Sequence, residues 1–141
     1  MELTRFESPP DAASALVTAA VTDVAHRIAF ASDCLPVDAW AELLTDNVVI
    51  DLFGDVNEGK AANVAGSSAR RSTGRSGPGS GTRHLVTTVV VDVSSDDGAD
   101  AVVTALFVRT EPTLEVTRVV TYQDSYRREG SRWYLARRTA R

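Results

Sequence analysis

The stretch RHLVTTVVVDVSSDDGADAVVTALFVR, residues 83–109, decides the fold. Residues 83–93 are rich in valine and threonine, and residues 101–109 form a second apolar run, both typical of strands. Ser, Asp and Gly fill residues 94–98 between them and indicate a turn. The stretch therefore predicts an antiparallel β-hairpin.

The chain beyond this hairpin repeats the pattern. Pro112 marks a break, and residues 116–127 and 132–139 flank the short turn 129–131. The second half of the chain is therefore predicted to be an antiparallel sheet.

The residues before residue 83 predict helices and one strand. A long helix is expected from Ala12 to about Ala31, with Pro9 and Pro10 before Asp11 marking its start. Its apolar stripe falls at helical spacing: Leu16, Val17, Ala20, Val21, Val24 and Ile28.

Pro36 separates this helix from a second, shorter one at residues 37–44. A strand is predicted at 47–53 and a short alanine-rich helix at 58–71, followed by a Gly/Ser loop at 72–82. Helices followed by strands favour a single α+β domain over residues 1–141, with helices packed on a strongly curved, mainly antiparallel sheet enclosing a pocket.

Composition excludes several classes of protein. A net charge of −4 and a pI near 5.1 over 141 residues argue against a nucleic-acid binder. Cys34 is the only cysteine, so no intramolecular disulfide is expected. Residues 1–10 lack the apolar segment of a signal peptide, and no apolar run reaches membrane-spanning length. We expect a soluble cytoplasmic protein that uses no metal or other cofactor, since no such motif occurs.

The basic residues are almost all arginine. Lys60 is the only lysine among 15 basic residues, which indicates either genomic base composition or bidentate anion recognition. Most of the arginines are attributed to base composition, including those predicted to lie in the flexible middle loop: Arg70, Arg71 and Arg75. Three remain candidates for contacting a ligand or a pocket carboxylate: Arg83, Arg137 and Arg138.

His84 is the most informative titratable residue. Strand alternation places it on one face with Val86, Thr88 and Val90, where an imidazole can exchange a proton near neutral pH. The alternative is a half-exposed histidine at a strand end. His26 lies opposite the apolar stripe of its helix and is expected at the surface.

Two aspartates are candidate partners in acid–base chemistry. Asp33 is either a polar helix terminus or the carboxylate that orients His84, a role that requires the helix to end or tighten before it. Asp51 interrupts an apolar strand and either faces water or is buried with a raised pKa, as a general base would be. The parity of that strand does not decide between these settings.

The last hairpin places Tyr122 and Asp124 on one face. Tyr122 either donates a hydrogen bond to a substrate oxygen or fills the core. Asp124 is expected to form a cross-strand ion pair with Arg137 or Arg138, and Trp133 is expected in the core.

Three segments, residues 31–51, 81–92 and 121–138, resemble the SnoaL-like branch of the NTF2-like superfamily, which includes scytalone dehydratase and ketosteroid isomerase. The resemblance implies a cone-shaped α+β barrel with a deep apolar pocket, often dimeric through its sheet. By position, Asp33 and His84 look like the Asp-His pair of the dehydratases, and Asp51 like the isomerase base.

The expected function is that of a cofactor-independent dehydratase, cyclase or isomerase acting on a small apolar polyketide-like or cyclic substrate. His84, Asp33, Asp51 and Tyr122 are its candidate catalytic residues. The alternative is a non-catalytic protein of the same fold that binds a small molecule or dimerises with a larger enzyme. A homodimer without nucleic-acid or membrane partners is expected. The predicted substrate-binding residues are Trp40, Phe53, Val86, Phe107 and Arg138.

Overall fold

A computed structural model describes residues 11–141; the expectations for Pro9, Pro10 and the N-terminal ten residues lie outside this range. Its elements are α1 (Ala12–Cys34), α2 (Val37–Ala41), β1 (Leu44–Leu52), β2 (Asp55–Glu58), α3 (Lys60–Ser72), β3 (Thr82–Val93), β4 (Gly98–Arg109), β5 (Glu115–Glu129) and β6 (Arg132–Ala140).

The strands form one six-stranded sheet in the order β2-β1-β6-β5-β4-β3. The two predicted hairpins are confirmed as the antiparallel pairs β3–β4 and β5–β6, and β1 runs parallel to β6. The α+β prediction is therefore confirmed. Strand β2 was not predicted, because four residues that are mostly exposed carry almost no apolar pattern.

Asp11 caps the N-terminus of α1, and its carboxylate accepts a hydrogen bond from the Ser14 amide at 2.8 Å. Its side chains are buried only from Val21 onward. Leu16 is 74% exposed, so its assignment to the buried stripe is wrong. No helix within residues 11–141, α1 included, is long and apolar enough to cross a membrane.

The core lies between α1 and the concave face of the sheet. On β4 the buried residues alternate and are small, with Ala99, Ala101 and Ala105 around Val103. Short side chains on a central strand leave room for a helix to pack closely. The largest fully buried side chains of this core are Tyr126, Ile28, Leu44, Leu135, Val21, Val48 and Val103.

Strand β3 contains a bulge. Its register with β4 shifts at Thr87, which has no partner residue, so the facing of the side chains reverses beyond it. Val89 packs against the core after the shift. The prediction that Thr88 and Val90 share a face with His84 is therefore wrong.

Candidate active site

A cavity of about 910 Å³ occupies the end of the concave face that the core does not fill. Its walls come from all six strands, from the turn between β1 and β2, from α1–α3 and from the loop before β3. The residues that define its chemistry are Trp40, Phe53, Asp55, Arg70, Arg75, His84, Phe107, Arg109, Arg118, Tyr122 and Arg138.

Asp33 and His84 form a pair beside this cavity. The His84 Nδ1 lies 2.7 Å from Asp33 Oδ1, and the His84 backbone amide donates to Asp33 Oδ2 at 2.6 Å. An ionised carboxylate can only accept hydrogen bonds, so Nδ1 carries the proton. In the neutral imidazole with this tautomer, Nε2 is the ring nitrogen with a free lone pair.

The last turn of α1 brings Asp33 to the start of β3. The helix continues through Asp33 to Cys34, so the expectation that it ends or tightens first is wrong. The carboxylate is buried, with Asp33 2% exposed, because the first residues of β3 cover it. Burial of a carboxylate is costly unless it is hydrogen-bonded, and the two bonds from His84 meet that need.

Arg71 fixes the end of α1 from the other side. Its guanidinium donates to the backbone carbonyls of Ala31, Ser32 and Leu35. These carbonyls lie at the helix C-terminus, where a cation is favoured, and the Ala31 carbonyl also accepts a hydrogen bond from the Leu35 amide. The last turn of α3 thereby holds the turn of α1 that carries Asp33.

The His84 ring also contacts an apolar wall. The Phe107 ring centroid lies 4.9 Å away, tilted by 56°. His84 and Phe107 are direct partners in the β3–β4 register. The imidazole is therefore held by a carboxylate on one side and by an aromatic ring on the other.

Tyr122 lies at the floor of the cavity and has no hydrogen-bond partner for its hydroxyl within residues 11–141. Burial raises the pKa of Tyr122, which keeps the hydroxyl protonated and able to donate. The Arg138 guanidinium lies 4.2 Å from the centre of the Tyr122 ring. Tyr122 is thus both a buried side chain and a donor available to a bound molecule.

A buried ionic network supports this floor. Arg138 makes two hydrogen bonds to Asp124, at 2.8 and 2.7 Å, and the Tyr126 hydroxyl donates to the same carboxylate at 2.7 Å. Burial alone would lower the pKa of Arg138, but the charge and hydrogen bonds of Asp124 raise it above its usual range. The predicted cross-strand pair is therefore Asp124–Arg138.

Asp51 lies outside the cavity lining. Val48 and Ile50 are buried, so the alternate side chains of β1, including Asp51, face the other way. Its carboxylate accepts hydrogen bonds from the Gly54 amide and from Arg141, and these contacts lower the pKa of Asp51. The reading of Asp51 as a buried base with a raised pKa is wrong.

The predicted substrate-binding residues divide between two cavities. Trp40, Phe53, Phe107 and Arg138 line the large cavity. Val86 lies in a separate recess of about 290 Å³ together with Arg83, and His84 borders both spaces. The exposed Arg137 lies at neither cavity, and Trp133 is only half-buried against the core.

Four cavity arginines were missed by the sequence reasoning: Arg70, Arg75, Arg109 and Arg118. Arg118 lies two residues before the buried Val120 on β5, so strand parity could have found it. Arg70 belongs to α3, not to a flexible loop, and the loop 73–81 forms part of the cavity wall. No group of three or more His, Cys, Asp or Glu side chains that could hold a metal occurs among the described residues.

A long helix packed in an open, curved mixed sheet, with a cavity at one end, defines an α+β protein of the NTF2-like class. The chain belongs to the SnoaL-like domain family, whose model matches residues 13–139. No curated protein sequence matches it significantly.

Solved structures share this fold. A cystatin-like-fold protein of unknown function from Nostoc punctiforme is 21% identical, with a TM-score of 0.78 over 89% of this chain and 90% of that one. A candidate scytalone dehydratase from Novosphingobium aromaticivorans is 14% identical (TM-score 0.75; 92% and 85% covered). A hexachlorocyclohexane dehydrochlorinase, LinA-type3, from Novosphingobium barchaimii is also 14% identical (TM-score 0.74; 94% and 90% covered).

Proposed function

We propose that this protein is a cofactor-independent acid–base enzyme in which His84 removes a proton from a small, largely apolar cyclic or polyketide-like molecule. The observation that carries the proposal is the 2.7 Å contact between His84 Nδ1 and Asp33 Oδ1 beside a 910 Å³ cavity. A closed, filled core would have favoured the accessory role instead.

The reaction follows from the placement of three groups. Nε2 of His84 takes a proton from a substrate carbon, and Asp33 stabilises the imidazolium that forms. The Tyr122 hydroxyl donates a hydrogen bond to the substrate oxygen on which negative charge develops. The carbanion or enolate then collapses by loss of a leaving group, by ring closure or by reprotonation at another carbon.

The comparisons favour elimination among these outcomes. Two proteins with the same fold are described as a dehydratase and a dehydrochlorinase, and both names denote removal of a small molecule. Each such elimination can start with abstraction of a proton by a base. We therefore place loss of water or of a similar leaving group first, and ring closure or isomerisation second.

We further propose that two copies pair through the outer face of the sheet. Leu85, Leu106 and Val119 form one row across β3, β4 and β5 on the face opposite His84. Leu85 and Val119 are 46% and 62% exposed. A row of exposed apolar side chains on a sheet face is typical of an interface.

The test of catalysis is exchange of carbon-bound hydrogen with solvent. Apolar cyclic ketones, with 2-tetralone as the first probe, are incubated in D₂O, and deuterium entry next to the carbonyl is followed by NMR. We expect the His84→Ala variant to lose roughly 100-fold or more of the enzyme-catalysed rate.

The matched control is His26→Ala, which removes the other histidine, an exposed residue that lines the small recess but not the large cavity. His84→Ala keeps the backbone bond to Asp33, so the fold is expected to persist, as circular dichroism will check. Exchange by His84→Ala within a few-fold of the wild-type rate would contradict the proposal.

A further inference from the structure

The cavity is cationic although the chain is acidic overall. Five arginines line it, against one acidic residue, Asp55, in a protein of net charge −4. Of the five, Arg138 is neutralised by Asp124. None of the other four forms a salt bridge within residues 11–141.

One of these arginines stands in line with the proposed base. His84 pairs with Phe107 in the β3–β4 register, and Phe107 pairs with Arg118 in the β4–β5 register. All three line the cavity. Two strand spacings separate the backbones of His84 and Arg118, about 10 Å.

The Arg118 guanidinium is positioned by an aromatic ring rather than by an acid. It lies 4.5 Å from the centre of the Phe53 ring, at the turn between β1 and β2. A cation–π contact of this kind holds the guanidinium without using any of its N–H donors.

Arg70 approaches the same region from α3. It is half-buried, and burial lowers the pKa of Arg70 while the charge of Asp55 raises it. Asp55 is too distant for a salt bridge, so the guanidinium is partly desolvated without a direct ionic partner. A partly buried arginine of this kind is stabilised by an anion that enters the cavity.

We propose that the cavity takes a substrate with an apolar body and an anionic group, such as a carboxylate, sulfate or phosphate, which Arg118 and Arg70 bind. The apolar body lies over Phe107, and the carbon that loses its proton lies at His84. This inference rests on the proposed function for the identity of the cavity as the substrate site, but anion binding itself does not depend on catalysis.

The experiment compares two fluorescent probes that differ in one anionic group. These are 8-anilinonaphthalene-1-sulfonate and N-phenyl-1-naphthylamine, which is the same aryl amine without the sulfonate. We expect the sulfonate to bind more tightly to the wild-type protein, with an affinity that falls as salt rises. The double variant R70Q/R118Q is expected to weaken sulfonate binding about tenfold or more and to change binding of the neutral probe less than about twofold.

Arg132→Gln serves as the control, because Arg132 is exposed at the start of β6 and does not line the cavity. Competition then identifies the anion: 2-naphthoate, 2-naphthyl sulfate and 2-naphthyl phosphate are each expected to displace the sulfonate better than 2-naphthol. The inference is overturned if 2-naphthol competes equally, if R70Q/R118Q weakens both probes alike, or if Arg132→Gln has the same effect as the double variant.

His84→Ala separates this inference from the proposed function. If the variant keeps the preference for the sulfonate, anion binding stands even where the exchange assay finds no proton transfer. If His84→Ala loses exchange while R70Q/R118Q leaves the preference intact, the catalytic proposal stands and the substrate class is wrong.

Discussion

At the scale of single residues, the site depends on which polar groups have partners. Asp33, Asp124 and Tyr126 are buried and hydrogen-bonded within the chain. Tyr122 is nearly as buried, yet its hydroxyl has no partner within residues 11–141. Because Tyr122 lines the cavity, its hydroxyl can donate a hydrogen bond to a ligand that enters there.

Replacing Tyr122 and Tyr126, both on β5, with phenylalanine is therefore expected to have opposite effects on activity and stability. Tyr122→Phe is expected to lower the rate of deuterium exchange about tenfold or more while leaving stability nearly unchanged, since it removes a donor used only by a ligand. Tyr126→Phe is expected to lower the free energy of unfolding by about 1 to 3 kcal/mol, since it removes a buried hydrogen bond to Asp124. Exchange rates and urea denaturation of both variants measure this. If the Tyr122→Phe variant exchanged deuterium at the wild-type rate, Tyr122 would have no role in the reaction beyond packing in the core.

At the scale of elements, the site depends on how helix and strand ends are held. The C-terminal turn of α1 carries Asp33, and Arg71 on α3 binds its carbonyls. Gly77 lets the loop before β3 pass close to this arginine: a Cβ there would lie 2.8 Å from Arg71 Cγ. Gly77 also has a φ of 87°, a conformation that favours glycine.

Arg71→Gln is accordingly expected to lower the free energy of unfolding by about 1 to 3 kcal/mol, because three helix carbonyls lose a charged donor. The exposed Arg27, which pairs with Asp23 on the same helix, provides the matched control. Arg27→Gln is expected to leave the free energy of unfolding nearly unchanged, because the pair with Asp23 is exposed to solvent. Urea denaturation measures both, and equal effects would show that Arg71 does not hold the helix end.

The turn between β1 and β2 carries a pH-dependent contact. Asp51 accepts hydrogen bonds from Gly54 and Arg141, which lower its pKa in the folded state. Its contribution to stability is therefore present above the unfolded pKa of about 3.9 and is lost as pH falls through the folded pKa.

Asp51→Asn is expected to be less stable than the wild type at pH 7, with the difference shrinking below about pH 3.9. Urea denaturation over a pH series measures this, with Asp92→Asn as the control, since Asp92 is exposed and forms no salt bridge within residues 11–141. A difference between wild type and Asp51→Asn that does not change with pH would contradict the assignment.

At the scale of the whole molecule, the two faces of the sheet differ in what they contact. The concave face carries the core at one end and the cavity at the other, while the outer face presents the apolar row through Leu85 and Val119. Because side chains alternate along a strand, neighbouring residues of one strand lie on opposite faces, one toward the cavity and the next toward the outer surface.

The wild-type protein is expected to be a dimer at micromolar concentration, and Val119→Lys is expected to be a monomer, because a charge in an apolar interface is costly. Size-exclusion chromatography with light scattering measures the mass of each. Ala19→Lys, on the exposed side of α1, is the control that should remain dimeric. A monomeric wild-type protein, or a dimeric Val119→Lys, would contradict pairing through this face.

The sequence by itself predicted the helices and every strand except β2, and it identified His84 and Asp33 as a candidate pair. Alternating valines and turn residues predicted both hairpins, and helical spacing predicted α1, because these signals are local. His84 and Asp33 were identified as polar residues at the ends of apolar elements, and the structure brings them within 2.7 Å.

Only the tertiary structure decided the rest. The bulge at Thr87 reversed the facing of half of β3, and the burial of β1 turned Asp51 away from the cavity. Arg70 and Arg118 are far apart in sequence and line the same cavity only because α3 and β5 both border it. Register, facing and the convergence of distant charges depend on contacts between elements, which no local pattern of residues contains.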